Sequence, residues 1–127
     1  MALTLADTSV WIRFLYTKAP FASHMQALLN AERIAGHEMV YGELLAGDTG
    51  GRTRLLQEYS RMYMVAPVAH DEVVAMVKKR NWQARGVGWI DLHLLASALA
   101  SKTRLWTADP RMEALARECG IAYDVSK

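Results

Sequence analysis

Residues 3–12 read Leu3-Thr4-Leu5-Ala6-Asp7-Thr8-Ser9-Val10-Trp11-Ile12. The first four of these residues are typical of a short buried strand, and the apolar residues from position 10 begin a helical pattern that Asp7, Thr8 or Ser9 can cap. We therefore expect Asp7 at the carboxyl end of a strand. In open sheets of parallel strands, ligands bind beyond that end.

The rest of the chain alternates strand patterns with amphipathic helix patterns. Further helices are predicted over residues 22–32, 38–46, 53–63, 71–85, 89–101 and 110–119, and further strands over residues 33–36, 64–68, 104–107 and 121–123. Strands that alternate with helices pair in parallel through right-handed crossovers. The pattern thus predicts an α/β fold.

Composition indicates a soluble globular protein. With 127 residues, 52% hydrophobic and 22% charged, the chain is predicted to form a single domain, residues 1–127. No apolar run approaches the roughly 20 residues that span a bilayer. The residues before Asp7 also lack the basic segment of a signal peptide, so we expect no membrane insertion and a cytoplasmic location.

Cysteine and histidine usage argues against a zinc or disulfide protein. Cys119 is the only cysteine, and the four histidines lack the paired spacing of a zinc site. A structural role is expected for His93, and a capping or packing role for His37. A zinc enzyme is therefore disfavoured.

Four carboxylates lie in or beside apolar stretches, where an isolated buried charge is unfavourable. Two of them follow predicted strands and two lie on the apolar faces of predicted helices. A hard divalent cation such as Mg²⁺ or Mn²⁺ would convert their repulsion into coordination. We therefore expect metal-dependent phosphodiester chemistry, with metal-activated water as the nucleophile. The four residues are Asp7, Glu43, Asp91 and Asp109.

Each acid also has an ordinary explanation when it is considered alone. Asp7 and Asp109 are natural helix caps, the latter followed by Pro110, and Asp91 can cap the helix in whose first turn it lies. Capping does not explain Glu43, although a partly exposed glutamate is an alternative. Only the combination of the four favours a metal site.

Basic residues supply candidate contacts to phosphate. The formal net charge is +2, and because the four site acids contribute −4, the rest of the chain carries +6, which favours salt-dependent binding to phosphates. Arg111, at the start of a helix, and Arg85 are candidate contacts to nucleic-acid phosphates. The alternative for both, and for the basic run at residues 78–80, is a solvated surface.

Four ordered motifs resemble those of PIN-domain nucleases, and within that family those of VapC-type toxins of bacterial VapBC toxin–antitoxin pairs. The resemblance extends from about Leu3 to Ala122. The motifs are Asp7-Thr8-Ser9-Val10-Trp11-Ile12, Gly42-Glu43-Leu44-Leu45-Ala46-Gly47, Gly86-Val87-Gly88-Trp89-Ile90-Asp91 with Leu94-Leu95-Ala96-Ser97-Ala98, and Leu105-Trp106-Thr107-Ala108-Asp109.

The resemblance implies a three-layer α/β/α sandwich on a mainly parallel sheet, a homodimer, dependence on Mg²⁺ or Mn²⁺, and endoribonuclease activity inhibited by a VapB antitoxin. Transfer RNA, ribosomal RNA and messenger RNA are all candidate substrates. The four acids match the family's metal-binding and catalytic positions. Ser9 and Thr107 match hydroxyl positions that hydrogen-bond to ligands or carboxylates.

Two alternatives and one departure accompany the resemblance. A degenerate PIN module could bind RNA or protein without cutting, and a haloacid-dehalogenase-type phosphatase would need an aspartate where the chain has Ser9. Some PIN domains carry a further acid near the fourth, whereas Pro110, Arg111 and Met112 follow Asp109 here. The number of metal ions therefore stays open.

Three tryptophans each stand beside a motif acid. Core packing is expected for Trp11, Trp89 and Trp106, since each occurs in an apolar pattern. Stacking of an RNA base on one of them is the alternative.

Overall fold

The computed structural model describes residues 2–125 and has an α/β architecture. Its strands are β1 (Thr4–Ala6), β2 (Ile34–Ala35) and β3 (Arg104–Trp106). Its helices are α1 (Thr8–Leu15), α2 (Phe21–Asn30), α3 (Glu38–Ala46), α4 (Thr53–Ser60), α5 (His70–Arg80), α6 (Trp89–Ser101) and α7 (Pro110–Glu118). The predicted α/β fold is confirmed.

The sheet is parallel throughout, with the strand order β2-β1-β3. Helices pack on both of its faces, which confirms the expected three-layer α/β/α sandwich. All three residues of the central strand β1 are buried. A strand covered on both faces has no solvent side, and this is why residues 3–6 form a nearly continuous apolar run rather than an alternating one.

Two predicted strands are reduced to single bridges at the edges of the sheet. Met64 pairs only with Gly36, and Ala122 only with Leu105. The N–H of Val65 still donates to the Gly36 carbonyl at 2.7 Å, but Pro67 has no N–H to continue a ladder. At the other edge, β3 is only three residues long and offers little to pair with.

Two predicted helices end three or more residues earlier than expected, for local reasons. Asn81 adopts a left-handed conformation, φ 57°, which ends α5 at Arg80. Helix α4 ends at Ser60, because the chain must turn so that the Tyr63 carbonyl can accept from the N–H of Gly36 at 2.8 Å.

A buried histidine fixes α3 against α6. His37 caps α3, since its Nδ1 accepts from the N–H of Met39 at 3.0 Å. Its Nε2 must then carry the proton, which it donates to Ser97 Oγ on α6 at 3.0 Å. Burial lowers the pKa of His37, which favours this neutral form, and the expected capping role is confirmed. Glu43 on α3 and Asp91 on α6 are thereby held in a defined relation.

Within residues 2–125, the helices are too short and insufficiently apolar for any of them to cross a bilayer.

Candidate active site

Asp7 lies where β1 passes into α1 and is only 3% exposed. It is the N-cap of α1, since its Oδ1 accepts from the N–H of Val10 at 3.1 Å. The same oxygen accepts from the Ser9 hydroxyl at 2.5 Å. The Asp7 N–H donates to the Trp106 carbonyl at 2.9 Å, which ties the carboxyl end of β1 to that of β3.

Asp109 follows β3 at the same edge of the sheet. It caps α7, accepting from the N–H of Arg111 at 2.9 Å, and Pro110 occupies the first turn. Its own N–H donates to Thr107 Oγ1 at 3.0 Å. The capping explanation for Asp7 and Asp109 is therefore correct, but it does not exclude a site, because a carboxylate keeps acceptor capacity after one or two hydrogen bonds.

Two hydroxyl groups connect the ends of β1 and β3. The Ser9 hydroxyl donates to Asp7 and accepts from the N–H of Ala108 at 3.0 Å. Hydrogen bonding by the Thr107 side chain also lowers the pKa of Asp7. Ser9 thus orients the Asp7 carboxylate directly, and Thr107 favours its charged form.

Glu43 lies half-buried in α3, and its Oε1 accepts from the Thr8 hydroxyl at 2.6 Å. This bond joins α3 to the first residue of α1, so Glu43 is not an unattached surface glutamate. The sequence did not single out Thr8 for this contact. Thr8 directly follows a motif acid, but the local pattern could assign its hydroxyl only to capping of α1, not to a contact with Glu43.

Asp91 lies in the first turn of α6, whose N-cap is Gly88. The suggestion that Asp91 caps this helix is therefore wrong. Among the described residues, no hydrogen bond reaches its carboxylate. Burial first, and then the charges of Asp7, Glu43 and Asp109, together raise the pKa of Asp91 to about 6.

The four acids thus form one electrostatic cluster, although they come from four separate elements. Burial is the main cause that raises the pKa of Asp7, the hydrogen bonds from Ser9, Thr107 and Val10 lower it, and the charge of Glu43 raises it again. The three ion pairs of residues 2–125 involve other acids, Glu58, Glu113 and Glu118. The cluster therefore carries negative charge that no arginine or lysine of this region pairs with.

The chemistry of this donor set fits a divalent cation such as Mg²⁺ or Mn²⁺. The donors are anionic oxygens, and their hydrogen-bond partners are neutral hydroxyls and backbone N–H groups, which leave oxygen lone pairs free. Within residues 2–125, no three Asp, Glu, His or Cys side chains are grouped tightly enough to hold a metal ion on their own. The residues that would hold a cation are therefore these acids together with water.

The two arginines suggested by sequence have different environments. Arg85 forms a two-pronged ion pair with Glu118, at 3.1 and 2.5 Å, so its charge is already paired. Arg111 is exposed, and its Nη1 lies 3.4 Å from the Gly86 carbonyl. Gly86 has φ +77°, and a Cβ there would come within 2.6 Å of the Arg111 side chain, so glycine is needed in the turn before α6.

The raised pKa of Asp91 predicts a pH dependence of stability in the metal-free protein. The pKa is about 6 in the folded state against an ordinary 3.8, so the folded state binds the proton more tightly. The associated stabilisation is complete below 3.8 and is lost as pH rises through about 6. We expect a loss of order 2–3 kcal/mol.

This expectation is checked by urea unfolding in EDTA across that pH range, for the wild type and for Asp91→Asn. The difference between the two profiles gives the contribution of Asp91 together with its coupling to the other three acids. Parallel profiles would show that Asp91 titrates normally.

The chain is similar to known proteins over almost its whole length. A family model described as "PIN domain" matches residues 4–118. Two relatives, both named Ribonuclease VapC32 and from two strains of Mycobacterium tuberculosis, are each 36% identical over 121 residues, which cover 94% of this chain and 95% of the relative.

A solved structure shares the fold at lower sequence identity. The crystal structure of PAE2754 from Pyrobaculum aerophilum aligns with a TM-score of 0.62 and 20% identity, over 98% of this chain and 90% of that chain. At this identity, the likeness supports the architecture alone.

Proposed function

The chain belongs to the PIN-domain family, and from that premise we propose that it is a metal-dependent endoribonuclease toxin of the VapC type. The observation that carries the proposal is the convergence of Asp7, Glu43, Asp91 and Asp109 at the carboxyl edge of a parallel sheet without a cationic partner among the described residues. Similarity to Ribonuclease VapC32 over 94% of the chain supports RNA as the substrate.

Neighbouring hydrogen-bond donors hold carboxylate oxygens of the cluster in place. Ser9 and the N–H of Val10 orient Asp7, and Thr8 orients Glu43. A bound divalent cation supplies Lewis-acid activation of water and stabilisation of the leaving oxygen. Because these orienting bonds exist before substrate binds, the carboxylates need little reorganisation during the reaction.

No side chain of the cluster is arranged as a nucleophile. The Ser9 hydroxyl donates a hydrogen bond to the Asp7 carboxylate, and its oxygen already accepts one from the N–H of Ala108. The Thr107 oxygen accepts from the N–H of Asp109. Hydrolysis by water, without a covalent enzyme intermediate, is the mechanism that this arrangement supports.

The partners follow from the same family relation. We propose that a VapB-type antitoxin inhibits the protein, that it acts as a homodimer in the cytoplasm, and that its substrate is a transfer, ribosomal or messenger RNA. Leu15 and Tyr16, at the end of α1, are exposed and supply apolar surface for a protein contact.

The test of function is cleavage of total bacterial RNA by the antitoxin-free protein with Mg²⁺, Mn²⁺ or EDTA. Discrete fragments that require metal are the expected result, and sequencing their ends would identify the substrate class. Absence of cleavage would favour a PIN module that binds without cutting, and cleavage that persists in EDTA would contradict the metal-dependent mechanism.

Binding of Mn²⁺ is expected to stabilise the protein, because it removes repulsion among the four acids. At about 100-fold excess over the dissociation constant, the gain is about 2.7 kcal/mol, or roughly 5–10 °C in melting temperature. Glu43→Gln should reduce this shift, whereas Glu58→Gln should not, since Glu58 is an exposed residue of α4 paired with Arg54. Equal shifts in the two variants, measured by thermal melting, would place the ion elsewhere.

A further inference from the structure

An arginine on α1 extends back toward the N-terminal end of that helix, which Asp7 caps. Arg13 lies one helical turn after Ser9, and its Nη1 donates to the Ser9 carbonyl at 3.1 Å. Side chains in a helix lean toward the helix N-terminus, which in α1 is the end that Asp7 caps. The guanidinium of Arg13 is therefore near the residue whose hydroxyl orients Asp7.

A second contact holds the same guanidinium from another side. Its Cζ lies 5.5 Å from the centroid of the Phe21 ring, and Phe21 stacks on Trp106 with 6.0 Å between ring centroids. Trp106 ends β3, directly before Thr107. A carbonyl and an aromatic ring thus fix a cation whose side chain would otherwise be free to move, which lowers the entropy cost of binding an anion.

The charge of Arg13 is unpaired within the part of the chain that the structure describes. The three ion pairs of residues 2–125 use Arg54, Arg85 and Arg117. Arg13 is only partly buried, and one hydrogen bond leaves most of the five N–H donors of its guanidinium available. It is thus a fixed cation with free donors that contacts Ser9, the residue whose hydroxyl orients Asp7.

We propose that Arg13 is a substrate-binding residue that holds a phosphate of the RNA strand next to the phosphodiester to be cut. A guanidinium fork matches phosphate oxygens in two-pronged geometry. The inference rests on the proposed function, in that the acidic cluster marks the scissile position. It adds a residue that sequence did not identify, while Arg85, which sequence did suggest, is engaged by Glu118.

Two other roles for Arg13 make different predictions. If Arg13 only supports α1 by packing on Phe21, its loss lowers stability but leaves the salt dependence of RNA binding unchanged. If it binds an acidic residue of a partner protein, its loss weakens that complex and not the RNA complex. The salt dependence of RNA binding distinguishes phosphate contact from these two roles, because each phosphate that a side chain neutralises makes the binding more dependent on salt.

The experiment measures binding of a short fluorescein-labelled single-stranded RNA of mixed sequence by anisotropy, over a series of KCl concentrations. It uses the full chain in the Asp91→Asn background with Mg²⁺ present, so that binding is read without relying on cleavage. The variants are Arg13→Gln, Arg13→Lys and the control Arg104→Gln. Arg104 is exposed and also donates to a backbone carbonyl, that of Ala122 at 3.4 Å. It is the first residue of β3, so it lies at the end of the strand opposite to the one that leads to Asp109.

For Arg13→Gln we expect the dissociation constant to rise about tenfold or more. The slope of log Kobs against log[salt] should become less negative by about 0.7. Arg13→Lys keeps the charge, so its slope should stay at the parent value while affinity falls less. Arg104→Gln should match the parent in both quantities.

Equal effects of Arg13→Gln and Arg104→Gln, or no RNA binding by the parent, would overturn the inference. A melting temperature for each variant shows whether it is folded, and Arg13→Lys provides the comparison if Arg13→Gln is not. The proposed function fails separately: RNA cleavage can be absent while the Arg13 effect on binding is present, and cleavage can be present while Arg13→Gln binds like the parent.

Discussion

Replacing Asp7 or Asp91 by asparagine is expected to lower metal-dependent RNA cleavage at least about 100-fold, since loss of even an outer partner of a metal ligand costs 10–100-fold. Asparagine keeps the size of the side chain and removes the charge. For Asp7 it also removes a carboxylate charge that is unfavourable to bury, as the raised pKa of this group shows. The variant should therefore fold at least as stably in EDTA as the wild type. The measurement is the initial rate of cleavage of the RNA substrate that the experiment on total RNA identifies.

A matched acid elsewhere provides the control for this loss. Asp71 is exposed in the first turn of α5, and Asp71→Asn should cleave at the wild-type rate. If Asp7→Asn and Asp91→Asn preparations cut as fast as Asp71→Asn, the activity comes from a contaminating nuclease or from other residues, and the proposed site is wrong.

Trp106→Ala is expected to lower the free energy of unfolding by about 3–5 kcal/mol. The Trp106 ring is 2% exposed and has Tyr123 and Phe21 at centroid distances of 4.8 and 6.0 Å, so truncation leaves a cavity that neighbouring elements cannot easily close. The measurement is urea unfolding in EDTA. Trp106→Phe, which keeps an aromatic ring, should lose less and remains measurable if the alanine variant does not fold.

Trp89→Ala is the control, because Trp89 is 40% exposed. It should cost less than about 1 kcal/mol, as is usual for surface positions. Similar losses for Trp89→Ala and Trp106→Ala would mean that burial of Trp106 does not set its contribution.

The tryptophans also show where apolar pattern is an unreliable guide. Core packing was predicted for three of them, and it is correct for Trp11 and Trp106 but wrong for Trp89. Trp89 is the first residue of α6, where its ring lies 5.0 Å from that of His93 and 5.3 Å from that of His70. A pattern of apolar residues identifies a helix face, but not how far the covering layer extends over its first turn.

The helices that a glycine precedes or follows directly were predicted at their observed bounds. Helix α3 ends where Gly47 follows, and α6 begins after Gly88. Less of the edge pairing was predictable, since the bridges at Met64 and Ala122 depend on which chain segments happen to lie beside the sheet. Asn81 ends α5 early, because asparagine tolerates the left-handed conformation better than most residues.

The sequence by itself determined the chemical types at the site and the local position of each. An acid directly after a buried strand or in the first turn of an apolar helix follows from patterns within one element, and the family resemblance follows from their order. Tertiary structure decided which groups meet. The Thr8–Glu43 bond joins residues 35 apart, and the Arg85–Glu118 pair joins residues 33 apart.

The same limit applies to charge. Burial and three carboxylates from other elements raise the pKa of Asp91. Within residues 2–125, Arg85 has an ion-pair partner and Arg13 has none. Electrostatic interaction depends on separation in space and on exposure to water, and neither is encoded in the spacing of residues along one strand or helix.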